Sequence, residues 1–326
     1  MLLYVSDLNN GGIRSEDVVF WAELRFRIQT KNTKIYGTDG QFCVSYEWAA
    51  KYAAEWSMAM RKHRGFTLVE LLIVIAIIAL LMSILMPALR RVQNQAKSAV
   101  CQTHLKHWGL IWSMYCHEND NRFCYAGSLG WKRGTWIIAL RPQYETRSDI
   151  MRCPMAKARL PGVNHGGPFN SYRMGTGGLG DLREECSYGM NCWLYNPEPG
   201  QTQIQGRDTN NNWKTPYVKG ASEVPVFADT MWRGGGPYET GTGGNPPQYH
   251  GEWISANREM MHFCIDRHGQ GTANHLFMDW HVSKLGVKEL WTLKWHRYFN
   301  TMGPWTTAGG VLPRDWPEWM KDFRDY

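Results

Sequence analysis

"RGFTLVELLIVIAIIALLMSILMPALRR", Arg64 to Arg91, is an apolar run with a basic edge at each end and a single acid, Glu70, near its start. From Phe66 to Leu89 the 24 residues carry no other charge. As a helix they extend about 36 Å, more than a bilayer core of about 30 Å requires. The run is too long for the apolar region of an ordinary secretory signal peptide, and no small-x-small cleavage site follows it. A plain single-pass anchor explains the length but not the acid. A carboxylate in hydrocarbon costs about 2.5–3.5 kcal/mol and calls for a counter-charge. Basic residues flank both ends, so charge bias does not fix an orientation.

Around Gly65 the order is a basic leader (Arg61, Lys62, Arg64), the glycine, aromatic Phe66, Thr67, two aliphatics and Glu70. This pattern resembles the class III signal of type IV pilins and type II secretion pseudopilins. The resemblance implies cleavage after Gly65 by a prepilin peptidase and N-methylation of Phe66. It also implies a partner for Glu70, the N-terminal ammonium of a neighbouring subunit. Opposite charges in low dielectric satisfy each other and fix the axial register of packed helices. Pro87 removes one ladder hydrogen bond and bends or locally melts the helix, and the helices of the resembled family often carry a proline here. The partners so implied are copies of this chain, other pilin-like subunits, the peptidase and an inner-membrane assembly platform.

The expected organisation is a leader over 1–65, a long helix over 66–118 that spans the membrane at 66–89, and a globular head over 119–326. Residues 1–57 are mixed in character and unlike a short basic leader, so translation is expected to begin at Met58 or Met60, or else 1–57 form an extension removed at cleavage. After Pro87, Leu89, Val92, Ala96, Ala99 and Val100 recur at helical steps, and Leu110, Ile111, Met114 and Tyr115 resume the stripe. "HENDNRF" (His117–Phe123) supplies turn formers that end it.

The chain has 326 residues, 43% apolar and 20% charged, enough for a packed core, and its 17 tryptophans and 33 glycines suggest a loop-rich head pinned by rings. The net charge of +7 is modest, and basic residues gather around the apolar run, which fits a membrane surface rather than nucleic acid. Glycine-rich breaks separate short β-like runs, among them "GTWIIAL", "VPVFAD" and "NHLFM". The expected fold class is α+β: a long N-terminal helix packed on an antiparallel sheet with long loops, pilin-like. Val287, Leu290, Trp291, Trp295, Tyr298 and Phe299 are at helical spacing, which predicts a short amphipathic helix over 287–299.

Eight cysteines occur, and removal of the leader takes Cys43 and leaves Cys101, Cys116, Cys124, Cys153, Cys186, Cys192 and Cys264. None forms C-x-x-C, which argues against a zinc knuckle. In an exported head these seven are disulfide candidates, with Cys186–Cys192 and Cys153–Cys264 conceivable pairs and at least one thiol left over.

"DRHGQGTANHLFMDWHV" (Asp266–Val282) is the most pointed stretch of the head. It resembles the H-X9-DG motif near the C-terminus of a large bacterial family of prepilin-like proteins. Two departures stand out: ten residues separate His268 from Asp279, and Trp280 replaces the motif's glycine, which argues against a tight turn there. "SYGMN" (187–191) is similar to the same family. His268 and Asp279 are expected to clamp loop to hairpin by a hydrogen bond. A calcium ion at Asp266 or Asp279, as the pseudopilin resemblance implies, is the lesser expectation, and zinc through His268, His275 and His281 is disfavoured. No cofactor is expected otherwise. Phosphate-loop and nucleophile-elbow motifs are absent, so the chain reads as non-enzymatic. It is expected in the inner membrane, single-pass, with its head in the periplasm or on a surface filament. A membrane-tethered polysaccharide-binding module that does not polymerise is the alternative.

Overall fold

The structure, a computed structural model, describes residues 67–125, 134–145, 147–175, 184–255 and 259–326. Gly65, Phe66, the basic leader and Cys43 lie outside the described residues. The chain divides into two compact units, Met1–Ile77 and Ile78–Tyr326. Of the first, only residues 67–77 are described.

Helix α1 runs without interruption from Leu68 to Glu118, 51 residues and about 76 Å. Pro87 sits inside it. Among the described residues this is the one helix long and apolar enough to cross a membrane. Its end follows from local chemistry: Asp120 and Asn121 adopt left-handed φ of 52° and 56°, and the Asn121 N–H donates back to the Cys116 carbonyl at 2.8 Å. Asn and Asp tolerate that conformation best after glycine.

Residues 68–97 of α1 are exposed on every side, and burial begins at Ser98. From there Ser98, Cys101, Leu105, Trp108, Ile111, Trp112 and Cys116 form the buried stripe. Leu89, Val92, Val100, Leu110 and Met114 share a second apolar stripe, and that one is uncovered, at 45–59% exposure. Periodicity reports that a helix has an apolar face; where a helix carries two, it does not say which one the head takes.

Thr135–Ala139 (α2) and Arg141–Tyr144 (α3) are short helices. "GTWIIAL" is thus mostly helical rather than a strand, the usual ambiguity of a short apolar run. Nine strands follow among the described residues: β1 Tyr172–Arg173, β2 Glu185–Cys186, β3 Tyr188–Asn191, β4 Gln203–Ile204, β5 Arg207–Asp208, β6 Pro225–Asp229, β7 Gly234–Gly235, β8 Thr272–Phe277 and β9 Val282–Gly286. Five of them make the central sheet in the order β7-β3-β6-β8-β9, antiparallel except for the β3–β7 pair. β1–β2 and β4–β5 are separate ribbons. The central strand β6, "PVFAD", is buried at all five positions, as an apolar run between two neighbours should be, and its proline takes the first position.

The stripe of α1 from Ser98 to Cys116 packs on this sheet. Trp108 meets Phe227 of β6 at 4.9 Å, Trp136 of α2 at 5.5 Å and Tyr144 of α3 at 5.4 Å between ring centroids. Its indole N–H donates to the Ile150 carbonyl at 3.1 Å, so the ring is buried without an orphaned donor. Gly109 lets α1 approach β8: a Cβ there would lie 2.9 Å from Leu276 Cδ1. Polar ties reinforce the seam, with Gln102 Nε2 donating to Asn274 Oδ1 at 3.2 Å and Lys106 Nζ donating to the Trp280 carbonyl at 2.6 Å.

The predicted helix over 287–299 is a 3-10 segment, Val287–Thr292, followed by turns. Of the six residues at helical spacing, Val287, Leu290, Trp291, Trp295 and Phe299 are buried, while Tyr298 is 68% exposed.

Candidate functional site

The helix N-terminus is built by two side chains. Thr67 is the N-cap, and Glu70 Oε2 accepts from the Thr67 N–H and from its hydroxyl, each at 2.9 Å. The Glu70 N–H donates to Thr67 Oγ1 at 3.2 Å. This is a reciprocal Thr-x-x-Glu capping box, legible as a spacing in "TLVE" but not singled out from the sequence. Glu70 therefore has an intrachain partner. All three bonds use Oε2 or the backbone, and no hydrogen bond reaches Oε1 among the described residues.

The expected clamp between His268 and Asp279 does not form. Asp279 bonds His281, accepting from its backbone N–H at 3.2 Å and pairing with its ring. Asp266 Oδ1 accepts from the Thr272 N–H at 3.0 Å, at the opposite end of β8 from Asp279. The two acids cannot share a calcium ion, since six strand residues span about 20 Å. The turn is tight nonetheless. The Phe277 N–H donates to the His281 carbonyl and the Trp280 N–H to the Phe277 carbonyl, both at 2.9 Å. Trp280 itself takes the left-handed position at φ 68°. This is a three-residue hairpin in which tryptophan stands where glycine is favoured; Lys106 and packing against the core hold it there.

His268 instead faces Asp229, the last residue of β6, with Nε2 2.9 Å from Oδ2. Two thiols join them: Cys153 Sγ lies 3.5 Å from His268 Nε2, and the Cys101 thiol donates to Asp229 Oδ2 at 3.5 Å. One ligand-capable atom from each of Cys101, Cys153, Asp229 and His268 falls within 4.8 Å of the others, and all four residues are buried. Around them, Arg267 Nη1 donates to Asp229 Oδ1 at 3.1 Å, the Asn274 N–H to Oδ2 at 3.0 Å, and the Tyr188 hydroxyl to Cys101 Sγ at 3.3 Å. Arg267 also donates to the carbonyls of Pro168, Ser187, Gly167 and Thr230, so all five of its N–H groups are used.

The electrostatics follow. Burial works against ionisation of Asp229, but the His268 charge and hydrogen bond, with Arg267, hold its carboxyl well below the usual range. Burial likewise opposes charge on His268, and Asp229 overrides it, raising the imidazole to about 9. Cys153 is pushed up by burial and brought down to about 7 by hydrogen bonds from Cys101 and His268, whereas burial drives Cys101 well up. The arrangement is not a nucleophile relay. Such a relay needs one imidazole nitrogen to face the nucleophile and the other the orienting carboxylate; here Nε2 faces both Cys153 and Asp229.

Of the cysteines, Cys101, Cys116, Cys124, Cys153, Cys186 and Cys264 are buried free thiols, so neither Cys186–Cys192 nor Cys153–Cys264 is bridged. Cys186 and Cys192 each turn their thiol to a nearby carbonyl, of Tyr188 and of Met190. His275 is buried on β8 and does not join His268 or His281. Asp229 and Arg267 escaped the sequence reading. The available signal was an acid ending the buried run "VPVFAD", which demands a buried counter-charge.

These features define a chain with a membrane-competent N-terminal helix of prepilin type and an α+β head of pilin-like class. Residues 60–86 match the prokaryotic N-terminal methylation motif. The chain is 34% identical over 120 residues to the type IV major pilin protein PilA of Myxococcus xanthus, covering 35% of this chain and 52% of that one. It is 42% identical over 62 residues to the type IV wide pilus major component PilA4 of Thermus thermophilus, covering 19% of this chain and 47% of that one. Over the matched residues it is similar to type IV major pilins, and it spans about half the length of the curated relatives it matches. No solved structure matches it.

Proposed function

We propose that this chain is a non-enzymatic subunit of a type IV pilus-like or pseudopilus filament. On this reading it is processed between Gly65 and Phe66 by a prepilin peptidase, held in the inner membrane by α1, and assembled with copies of itself or other pilin-like subunits. The observation that carries the reading is the division of α1. Its stretch from Ser98 onward has a face sunk in the head, while residues 67–97 keep their apolar side chains uncovered. A continuous apolar surface of that extent belongs in lipid or against other helices. The second uncovered stripe, with Val100, Leu110 and Met114, continues that surface down the head-bearing half. A tethered polysaccharide-binding head has weaker support, because no tryptophan among the described residues is exposed.

The test is assembly. Met114→Glu places a charge on the uncovered stripe without touching the core. The expected result is a folded, membrane-inserted chain that no longer enters sheared fibres seen by electron microscopy. Fibres of normal abundance would reject the reading, and so would wild-type protein recovered with residues upstream of Gly65 attached and never polymeric.

A further inference from the structure

We infer that Cys101, Cys153, Asp229 and His268 form a structural zinc site that pins α1 to the head. The inference stands apart from the filament reading, because none of these four residues belongs to the uncovered surface of α1 on which that reading rests.

Four kinds of observation converge. The first is the donor set. Two sulfurs, an imidazole and a carboxylate are the ligand types that zinc takes in closed four-coordinate sites. The second is spacing. Zinc bonds of about 2.0–2.3 Å in a tetrahedron put neighbouring ligand atoms roughly 3.3–3.8 Å apart. Here Nε2 to Oδ2 is 2.9 Å, Cys153 Sγ to Nε2 is 3.5 Å, and Cys101 Sγ to Oδ2 is 3.5 Å. All four donor atoms lie within 4.8 Å of one another. Small side-chain movements suffice to close on an ion.

The third is charge. Two thiolates and one carboxylate carry three negative charges. Arg267, bound to the outer oxygen of Asp229, and a divalent ion together carry three positive ones. With His268 neutral, the loaded site has no net charge, which is what a fully buried site requires. The fourth is the surrounding shell. The Met155 N–H donates to Cys153 Sγ at 3.4 Å, the Tyr188 hydroxyl to Cys101 Sγ at 3.3 Å, and Arg267 to Asp229 Oδ1 at 3.1 Å. Each sulfur and the carboxylate thus receives a donor from outside the cluster, the pattern that orients metal ligands.

The ligands come from α1 (Cys101), the loop before β1 (Cys153), the end of β6 (Asp229) and the loop before β8 (His268). Binding would therefore join four segments far apart in sequence. On loading, each thiol releases its proton to solvent and His268 is deprotonated at Nε2; no electron is transferred.

The experiment uses the full chain in detergent, purified under reducing conditions. Metal content is measured as isolated and after incubation with Zn2+ alone and removal of excess. The expected result is one zinc per chain, with two sulfur scatterers in the X-ray absorption spectrum. Cys153→Ser and Cys101→Ser should each abolish it, while Cys264→Ser, another buried thiol, should retain it. Circular dichroism checks that each variant is folded. Should the serine variants not fold, Co2+ loading of wild-type protein gives a second reading, with thiolate-to-cobalt charge-transfer bands expected and their absence contrary. The inference is overturned if folded wild-type protein takes up no zinc under reducing conditions. It is equally overturned if peptide mapping of protein isolated from its own membrane finds Cys101 and Cys153 joined as a disulfide.

Discussion

His268 Nε2 lies 2.9 Å from Asp229 Oδ2, across 39 positions of sequence, while Asp279, the acid that shares its motif, bonds His281 two residues on. His268 thus serves the core and Asp279 serves the hairpin. Each carboxylate is paired, but only Asp229 is fully buried. The ion pairs of Asp229 therefore bear on stability, and that of Asp279 bears on the shape of a turn.

Arg267 is the residue this arrangement tolerates least in altered form. Its planar fork satisfies Asp229 and four backbone carbonyls at once. Lysine keeps the charge but offers three donors from one point, so at least two buried acceptors lose their bond. Each such loss costs about 1–3 kcal/mol. Arg267→Lys is expected to destabilise the head by about 3 kcal/mol, read as a fall in the urea midpoint. A midpoint unchanged from wild type would show that the fork is dispensable.

How much of this was legible beforehand depended on range in sequence. The membrane-competent helix, its end at "HENDN", the strands in "VPVFAD" and "NHLFM", and the buried anchors Val287, Leu290, Trp291, Trp295 and Phe299 all follow from residues close together in the chain. The His268–Asp229 pair, the gathering of Cys101 with Cys153, and the choice between two apolar faces of α1 depend on where the sheet lies, which periodicity does not encode. The Trp280 turn misled for a related reason: the cost of a left-handed tryptophan, about 1–2 kcal/mol, is local, and the contacts that offset it, with Lys106 and the core, are not.

His275 should make the head acid-sensitive. It is fully buried on β8, and burial lowers its imidazole to about 4 against the opposing pull of Asp229. An unfolded histidine titrates near 6.5. Between those values the unfolded chain binds the extra proton, so stability rises with pH there and falls on acidification. From about pH 7 to about pH 5 the loss attributable to this residue is about 2 kcal/mol. His275→Leu should flatten the pH dependence of the unfolding midpoint over that interval. Parallel wild-type and variant curves would remove His275 as the cause.

Gly189, in the middle of "SYGMN", is required by the close passage of the chain from β6 into β7. A Cβ there would lie 2.4 Å from the Trp232 carbonyl oxygen and 2.6 Å from Thr230 Cγ2. The backbone oxygen cannot step aside without disturbing the β3–β7 pairing, in which Met190 N–H donates to the Arg233 carbonyl at 3.2 Å. Gly189→Ala is expected to cost about 1–3 kcal/mol and to lower the thermal midpoint. A variant as stable as wild type would mean that β7 moves freely.

Glu70 has a capping role and, on the filament reading, an assembly role, and one pair of variants divides them. In the capping box its Oε2 satisfies Thr67, a task glutamine also performs. On the filament reading its charge is what a neighbouring chain's N-terminal ammonium meets, and glutamine cannot supply that. Glu70→Gln should leave helix content unchanged by circular dichroism yet reduce fibre yield severely. Glu70→Ala should lose both the cap, at about 1 kcal/mol, and the fibres. If the glutamine variant assembles as wild type does while the alanine variant does not, the acid serves the helix end alone and the proposed contact between subunits falls.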